Sequence, residues 1–188
     1  MGKLDRAQME QLLSLAAQGD KRAFGRLYEA FLDEIYRFVY YKVSNQIIAE
    51  DITEDTFIKT WLSLPRIYKK NGKIENLRAW LYRTANNQVI DYYRKKKPVE
   101  NTDQLTQAAK QTPESITDQQ ILTEHLKKSV LALEPDFQQI IILRFINQLS
   151  HKETAATLDI SENYSRVLQY RALKRLKEIF TEKESENV

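Results

Sequence analysis

Apolar residues recur three or four apart along most of this chain, the period of a helix with one buried side. The first such stretch, 8–17, is short, and Gly19-Asp20 ends it, with Asp20 placed to cap the next helix. Phe24, Leu27, Tyr28, Phe31, Ile35, Phe38 and Val39 then trace the buried face of a long helix over 21–43. Ser44-Asn45 separates it from a third helix, 47–64, in which Ile52, Thr56 and Phe57 face a core. Pro65 is expected to close that helix, because it has no N–H to continue the ladder. A polar loop, 66–76, with Gly72 near its middle leads to Asn76, which caps a fourth helix over 77–94. The stripe of this helix is Leu77, Leu81, Ala85, Val89 and Tyr92, with Trp80 at its edge.

After Lys95-Lys96-Lys97-Pro98 the pattern lapses. Residues 98–118 are poor in large apolar side chains and rich in Gln, Thr and Asn, which predicts a flexible linker. Periodicity resumes at Ile121, Leu122, Leu126, Val130 and Leu133, and Pro135 then opens a helix carried by Phe137, Ile140, Ile141, Arg144 and Phe145. Ser150-His151-Lys152-Glu153 fits a capping box, and the helix behind it holds Ala155, Ala156 and Leu158. Asp159-Ile160-Ser161 turns the chain into a last helix from 162 to about 181. The prediction is an all-α fold. A four-helix N-terminal domain (1–97) and a C-terminal helix-turn-helix domain (119–182) are joined by a flexible linker (98–118), with a fraying tail (183–188).

Charge changes this picture more than composition does. The net charge of the 188 residues is only +3, yet 78–97 and 166–177 carry +5 each and leave −7 for the rest. Two basic helices on an acidic body point to two polyanion contacts and an acidic surface open to a protein partner. The absence of cysteine excludes disulfides and thiolate metal sites. The start of the chain has no apolar run behind a basic residue, and the longest aliphatic run, Ile140-Ile141-Ile142-Leu143, is too short for a bilayer. These features suit a cytoplasmic protein.

The densest chemistry lies in 80–97. Tyr82, Arg83, Asn86, Asn87, Tyr93 and Arg94 project away from the apolar stripe. Cations hold phosphates, amides read base edges and aromatic faces stack on unpaired bases, so this helix suits opened DNA or RNA. An amphipathic core helix with a solvated basic end fits the same residues. Residues 150–175 have the spacing of a helix-turn-helix, whose second helix would offer Ser161, Asn163, Tyr164, Arg166, Tyr170, Arg171 and Lys174 to a major groove and its phosphates. Either Val167 or Leu168 would pin that helix to the core. In the third helix Asp51, Glu54, Asp55, Ile58 and Leu62 share an arc, a mixed acidic and aliphatic face suited to docking or simply to solvent. No nucleophile elbow, phosphate-binding glycine loop or zinc-ligand cluster is present, and His125 and His151 stand alone. Nothing implies a catalytic residue, metal, cofactor or small-molecule substrate.

The order of these pieces resembles a bacterial sigma factor of the extracytoplasmic-function group. The matching segments are Gly19-Asp20-Lys21-Arg22-Ala23-Phe24; Ala49-Glu50-Asp51-Ile52-Thr53-Glu54-Asp55-Thr56-Phe57 with Trp61; Leu77-Arg78-Ala79-Trp80-Leu81-Tyr82-Arg83-Thr84-Ala85; and Asp91-Tyr92-Tyr93-Arg94. Leu143-Arg144-Phe145, Leu149-Ser150-His151-Lys152-Glu153-Thr154-Ala155 and Arg171-Ala172-Leu173-Lys174-Arg175-Leu176 complete the set. The resemblance implies that the first domain is region 2, which docks on the clamp helices of the RNA polymerase beta-prime subunit through Asp51, Glu54, Asp55, Ile58 and Leu62. It implies that Lys69, Lys70, Asn71 and Asn76, with the basic-aromatic helix, bind and melt the promoter −10 element around a flipped base. The second domain is then region 4, which reads the −35 element. The implied partners are core polymerase (beta-prime clamp helices and beta flap), promoter DNA and an anti-sigma protein, often membrane-bound. Three positions depart from the family: Asp159 replaces the usual turn glycine, Ser165 a common aliphatic residue and Leu168 a common cation. A two-domain helix-turn-helix regulator that ignores polymerase, and a metal-dependent nuclease built on Asp51, Glu54 and Asp55, are the rival readings.

Overall fold

Each helix of the N-terminal half begins where a side chain can take up its first free N–H groups. Asp5 and Gln8 form a capping box at α1 (Arg6–Ala17). Asp20 accepts from the Arg22 and Ala23 amides at 2.8 and 3.1 Å to open α2 (Lys21–Val43). Asn45 caps α3 (Gln46–Asn71), and Asn76 accepts from the Ala79 amide at 3.0 Å to cap α4 (Leu77–Lys96). The computed structural model describes residues 4–96 and 118–185, and every regular element among them is helical. Lys97 and all of the predicted linker except Asp118 lie outside the described residues. The chain divides into two compact units, Met1–Pro98 and Val99–Val188.

In the first unit α2 and α3 pack against each other and both pack against α4. Leu27, Ile35, Phe38, Val39, Leu64 and Leu81 are fully buried between them, each burial contributing about 2 kcal/mol. Thr53, Thr56 and Thr60 enter this core with their hydroxyls satisfied, donating to the carbonyls of Ala49, Ile52 and Thr56 at 2.6 to 2.8 Å. Arg78 closes the bundle with two hydrogen bonds to Glu34, Nε to Oε1 at 3.0 Å and Nη2 to Oε2 at 2.8 Å. One of the cations counted in the basic segment is therefore committed inside the fold.

Pro65 does not end the third helix, which runs six residues further, to Asn71. Proline in a helix interior costs roughly 3 kcal/mol. Here Thr60 and Leu64 are buried ahead of it and Ile67 and Tyr68 half-buried after it, and this packing outweighs the missing hydrogen bond. Lys69, Lys70 and Asn71 thus belong to the last turn of α3 rather than to a loop. The loop shrinks to 72–76. Gly72 takes the left-handed conformation at φ +73° and its N–H donates to the Tyr68 carbonyl at 2.9 Å.

The second unit comprises α5 (Asp118–Leu131), α6 (Pro135–Ile141), a π segment (Ile142–Ile146), α7 (His151–Leu158) and α8 (Glu162–Ser185). Its core is built on Ile140, Ile142, Leu143, Leu149 and Ala172, all fully buried. The sequence suggested a plain helix through Phe145. Instead its last turn widens, and the Asn147 amide reaches back five residues to the Ile142 carbonyl at 2.9 Å. The last helix extends to Ser185, so 183–185 of the expected tail are helical.

Candidate functional site

Three surfaces gather the predicted residues. On α3, Asp51, Glu54, Asp55, Ile58 and Leu62 are all exposed along one stripe, and Ile47 joins them. Ile58 and Leu62 are 54% and 70% exposed, far more than aliphatic side chains of a core helix. Asp51 and Asp55 are four residues apart, as are Glu50 and Glu54, so like charges repel along the helix. Lys59 has the spacing to pair with Asp55, but its ammonium instead donates to Gln88 Oε1 on α4. Beside the stripe, a groove between α2 and α3 is walled by Phe24 against Trp61 (ring centroids 5.0 Å) and Tyr28 against Phe57 (4.8 Å). These aromatic walls escaped the sequence reading, which assigned Phe24, Tyr28 and Phe57 wholly to the core.

On α4 the prediction needs one correction. Tyr82 does not project outward; it is fully buried and meets Phe38 edge-on at 5.1 Å. The helix is covered by α2 on one side and α3 on the other, so its buried arc, from Leu77 round to Ala79, is roughly 200° wide rather than a single stripe, and Tyr82 falls inside it. Arg83, Asn87 and Arg94 lie on the open arc, together with Ile90, an exposed aliphatic residue that the periodicity left unassigned. Arg94 pairs with Asp91 at 3.0 Å on the surface. Asn86 and Tyr93 sit at the boundary of the arc. Asn86 Oδ1 accepts from Lys42 Nζ at 2.6 Å, and the Tyr93 hydroxyl donates to the Lys42 carbonyl at 3.0 Å. Burial raises the Tyr93 phenol above its ordinary pKa, with Tyr92 adding to the shift, which keeps it a donor. Lys69, Lys70 and Asn71 are exposed at the end of α3, next to the loop that delivers Asn76. The Asn76 side-chain oxygen is committed to its cap.

Ser161, just ahead of α8, and Asn163, Tyr164, Arg166, Tyr170, Arg171 and Lys174 on it are all exposed, with Tyr170 at 71%. Ser165, Leu168 and Ala172 define the opposite, buried side, so Leu168 and not Val167 pins the helix. Val167 joins the open face, 43% exposed between Arg166 and Tyr170. The Ser161 hydroxyl oxygen caps α8 by accepting from the Tyr164 amide at 3.1 Å. Arg166 leans on Glu162 at 2.7 Å, an exposed pair of little strength. Arg144, from the π segment, donates to Gln169 Oε1 at 2.8 Å and to the Leu149 carbonyl, holding the approach to α7 against α8.

The sigma-70 region 2 family matches residues 27–99, and the sigma-70 region 4 family matches residues 131–178. The ECF RNA polymerase sigma factor BldN of Streptomyces coelicolor is 33% identical over 176 residues, 92% of this chain and 66% of BldN. The chain belongs to the extracytoplasmic-function sigma factors. The ECF sigma factor SigM of Bacillus subtilis is 27% identical over 82% of this chain and 93% of SigM. Among solved structures, the sigma factor RpoE in complex with the anti-sigma factor NepR from Bartonella quintana shares the fold, with a TM-score of 0.63 at 22% identity over 84% of this chain and 96% of that one. No helix among the described residues of this sigma factor is long and apolar enough to cross a membrane.

The three departures from the family now have physical accounts. Asp159 adopts the left-handed turn itself, at φ +57°. Leu168 is buried and pins α8 to the core. Ser165 is buried with its Oγ 3.0 Å from His151 Nδ1 at the start of α7. Burial and the nearby Arg144 and Arg166 lower the His151 pKa, and Glu162 opposes them weakly. A lowered value means that the unfolded chain binds the proton first as pH falls. The region 4 unit of this sigma factor should therefore lose stability as pH drops below the ordinary imidazole value of 6.5 towards the lower folded value. Thermal unfolding between about pH 7 and pH 5 should show a shallower pH slope in His151→Gln than in the parent.

Proposed function

We propose that this sigma factor binds core RNA polymerase and directs promoter-specific initiation, with each of the three surfaces taking one part of the task. The α3 face docks on the beta-prime clamp helices, and the beta flap supplies a further contact on the same enzyme. The end of α3, the loop 72–76 and the open arc of α4 engage and melt the −10 element. Extruding a base there costs a few kcal/mol, offset by stacking and hydrogen bonds in the protein. The open face of α8 reads the −35 duplex, with Arg and Asn side chains suited to base edges and Lys174 to phosphate. The protein supplies promoter choice and no chemistry of its own.

The observation that carries this reading is the pairing of two separate cationic surfaces with an acidic face whose charges repel one another. A regulator that reads only duplex DNA has no use for the α4 surface or for that acidic stripe. The chain acts where polymerase acts, in the cytoplasm, and an anti-sigma protein covering the same surfaces would hold it inactive there or at the membrane.

Transcription in vitro tests the proposal. Purified chain added to sigma-free core enzyme should yield transcripts with a defined start from a subset of promoters, and should co-elute with the core. Failure to co-elute, with retained binding to duplex DNA, would favour the helix-turn-helix regulator.

A further inference from the structure

Lys42 is the last cation of α2 and only 6% exposed. Its ammonium lies 5.3 Å from the centroid of the Phe38 ring and donates to Asn86 Oδ1 at 2.6 Å. Its own carbonyl accepts the Tyr93 hydroxyl at 3.0 Å. One buried residue on a neighbouring helix thus grips two side chains at the edge of the α4 arc.

An ammonium donates and never accepts. It can meet only the oxygen of the Asn86 amide, because a flipped amide would set NH2 against NH3+. The bond is charge-assisted and shielded from water, which makes it strong. The Asn86 amide nitrogen is left with no acceptor among the described residues, on a half-buried side chain at the rim of the open arc. An unrestrained asparagine can offer its oxygen or its nitrogen and so can pair with adenine through both. A restrained one offers N–H alone.

We propose that Lys42 is a positioning residue that locks Asn86 as a hydrogen-bond donor, so that Asn86 recognises a base carbonyl oxygen in the opened strand and rejects an exocyclic amine at the same place. The inference rests on α4 being the strand-binding surface. The exposed Arg83 and Arg94 are the groups suited to phosphates, which leaves the neutral amide for a base edge. Thymine and cytosine make the sharpest test, since they differ in shape mainly by a methyl group but present oxygen and amine respectively at the same position.

The experiment uses the full chain bound to core polymerase and fluorescent single strands carrying the non-template −10 segment of a promoter it transcribes. Each thymine is replaced in turn by cytosine. In the parent, one position should show about a tenfold preference for thymine, the size of one good base contact. Asn86→Ala and Lys42→Met should each shrink that preference to about twofold, and the double variant should do no more, because the two residues act as one unit. Lys42→Arg, also a pure donor, should keep the preference.

Asn86→Asp supplies a check that does not depend on removing the lysine. It keeps an oxygen for Lys42, so thermal unfolding should be unchanged or improved, yet it strips the outward N–H and should weaken strand binding about tenfold. Retention of the thymine preference in Lys42→Met, or of strand affinity in a folded Asn86→Asp, overturns the positioning role while leaving the strand surface intact. If Asn86→Ala and Arg83→Ala both leave strand affinity unchanged, the α4 surface itself is misassigned and the inference goes with it.

Discussion

Replacing Asp51 and Asp55 together by lysine should weaken binding to core RNA polymerase about a hundredfold, equivalent to about 2.7 kcal/mol. Both carboxylates are exposed on α3, and neither makes a hydrogen bond or ion pair among the described residues, so the fold does not use them. Like charges four apart on a helix cost a few tenths of a kcal/mol per pair. Two lysines there repel as the two aspartates do, so the double substitution exchanges one weak repulsion for another and should leave thermal unfolding of the chain nearly unchanged. A loss of polymerase binding without a loss of stability would mark these residues as belonging to an interface. Rim charges act mainly on association rate, so the defect should appear largely in the on-rate and shrink as salt rises. Unchanged binding in a competition assay against the parent chain would remove α3 as the docking face.

Tyr82→Ala should have the largest effect on stability of any substitution in α4. The ring is fully buried and packs edge-on against Phe38, so truncation leaves a cavity in the region 2 unit and costs about 3 to 5 kcal/mol. For a unit of this size that is a fall of roughly 15 to 30 °C in melting temperature. Asn87→Ala, five residues further on the open arc, should leave the melting temperature within about 2 °C and instead reduce strand binding. If Tyr82→Ala folds normally and fails only in promoter melting, the ring must reach DNA, and the description of α4 as a helix covered on two sides is wrong.

The contrast between those two residues shows where sequence was enough and where it was not. The caps at Asp20, Asn76 and Ser150 are visible because a short polar side chain before an apolar repeat has a local meaning. All seven residues expected to face outward there, Ser161 at the cap and six on α8, are exposed, because charge and spacing agree along a helix with one buried side. Tyr82 failed because one period cannot reveal how many neighbours a helix has. A helix with two partners hides more than one stripe. Pro65 failed for a related reason. Its local cost is fixed, but the burial of Thr60 and Leu64 that outweighs it comes from distant parts of the chain. Lys42 gave no signal at all, since a lysine in the last turn of a helix usually reads as a solvated partner for the free carbonyls there.

Because α3 passes through Pro65 unbroken, its two ends become a ruler. Asp51 near its start and Gly72 at its close are about 30 Å apart along one axis, at the rise of an α-helix. On the proposed reading, the spot that would hold the enzyme and the spot that would part the DNA strands are therefore joined by one continuous helix, and the spacing between them is set before either partner arrives.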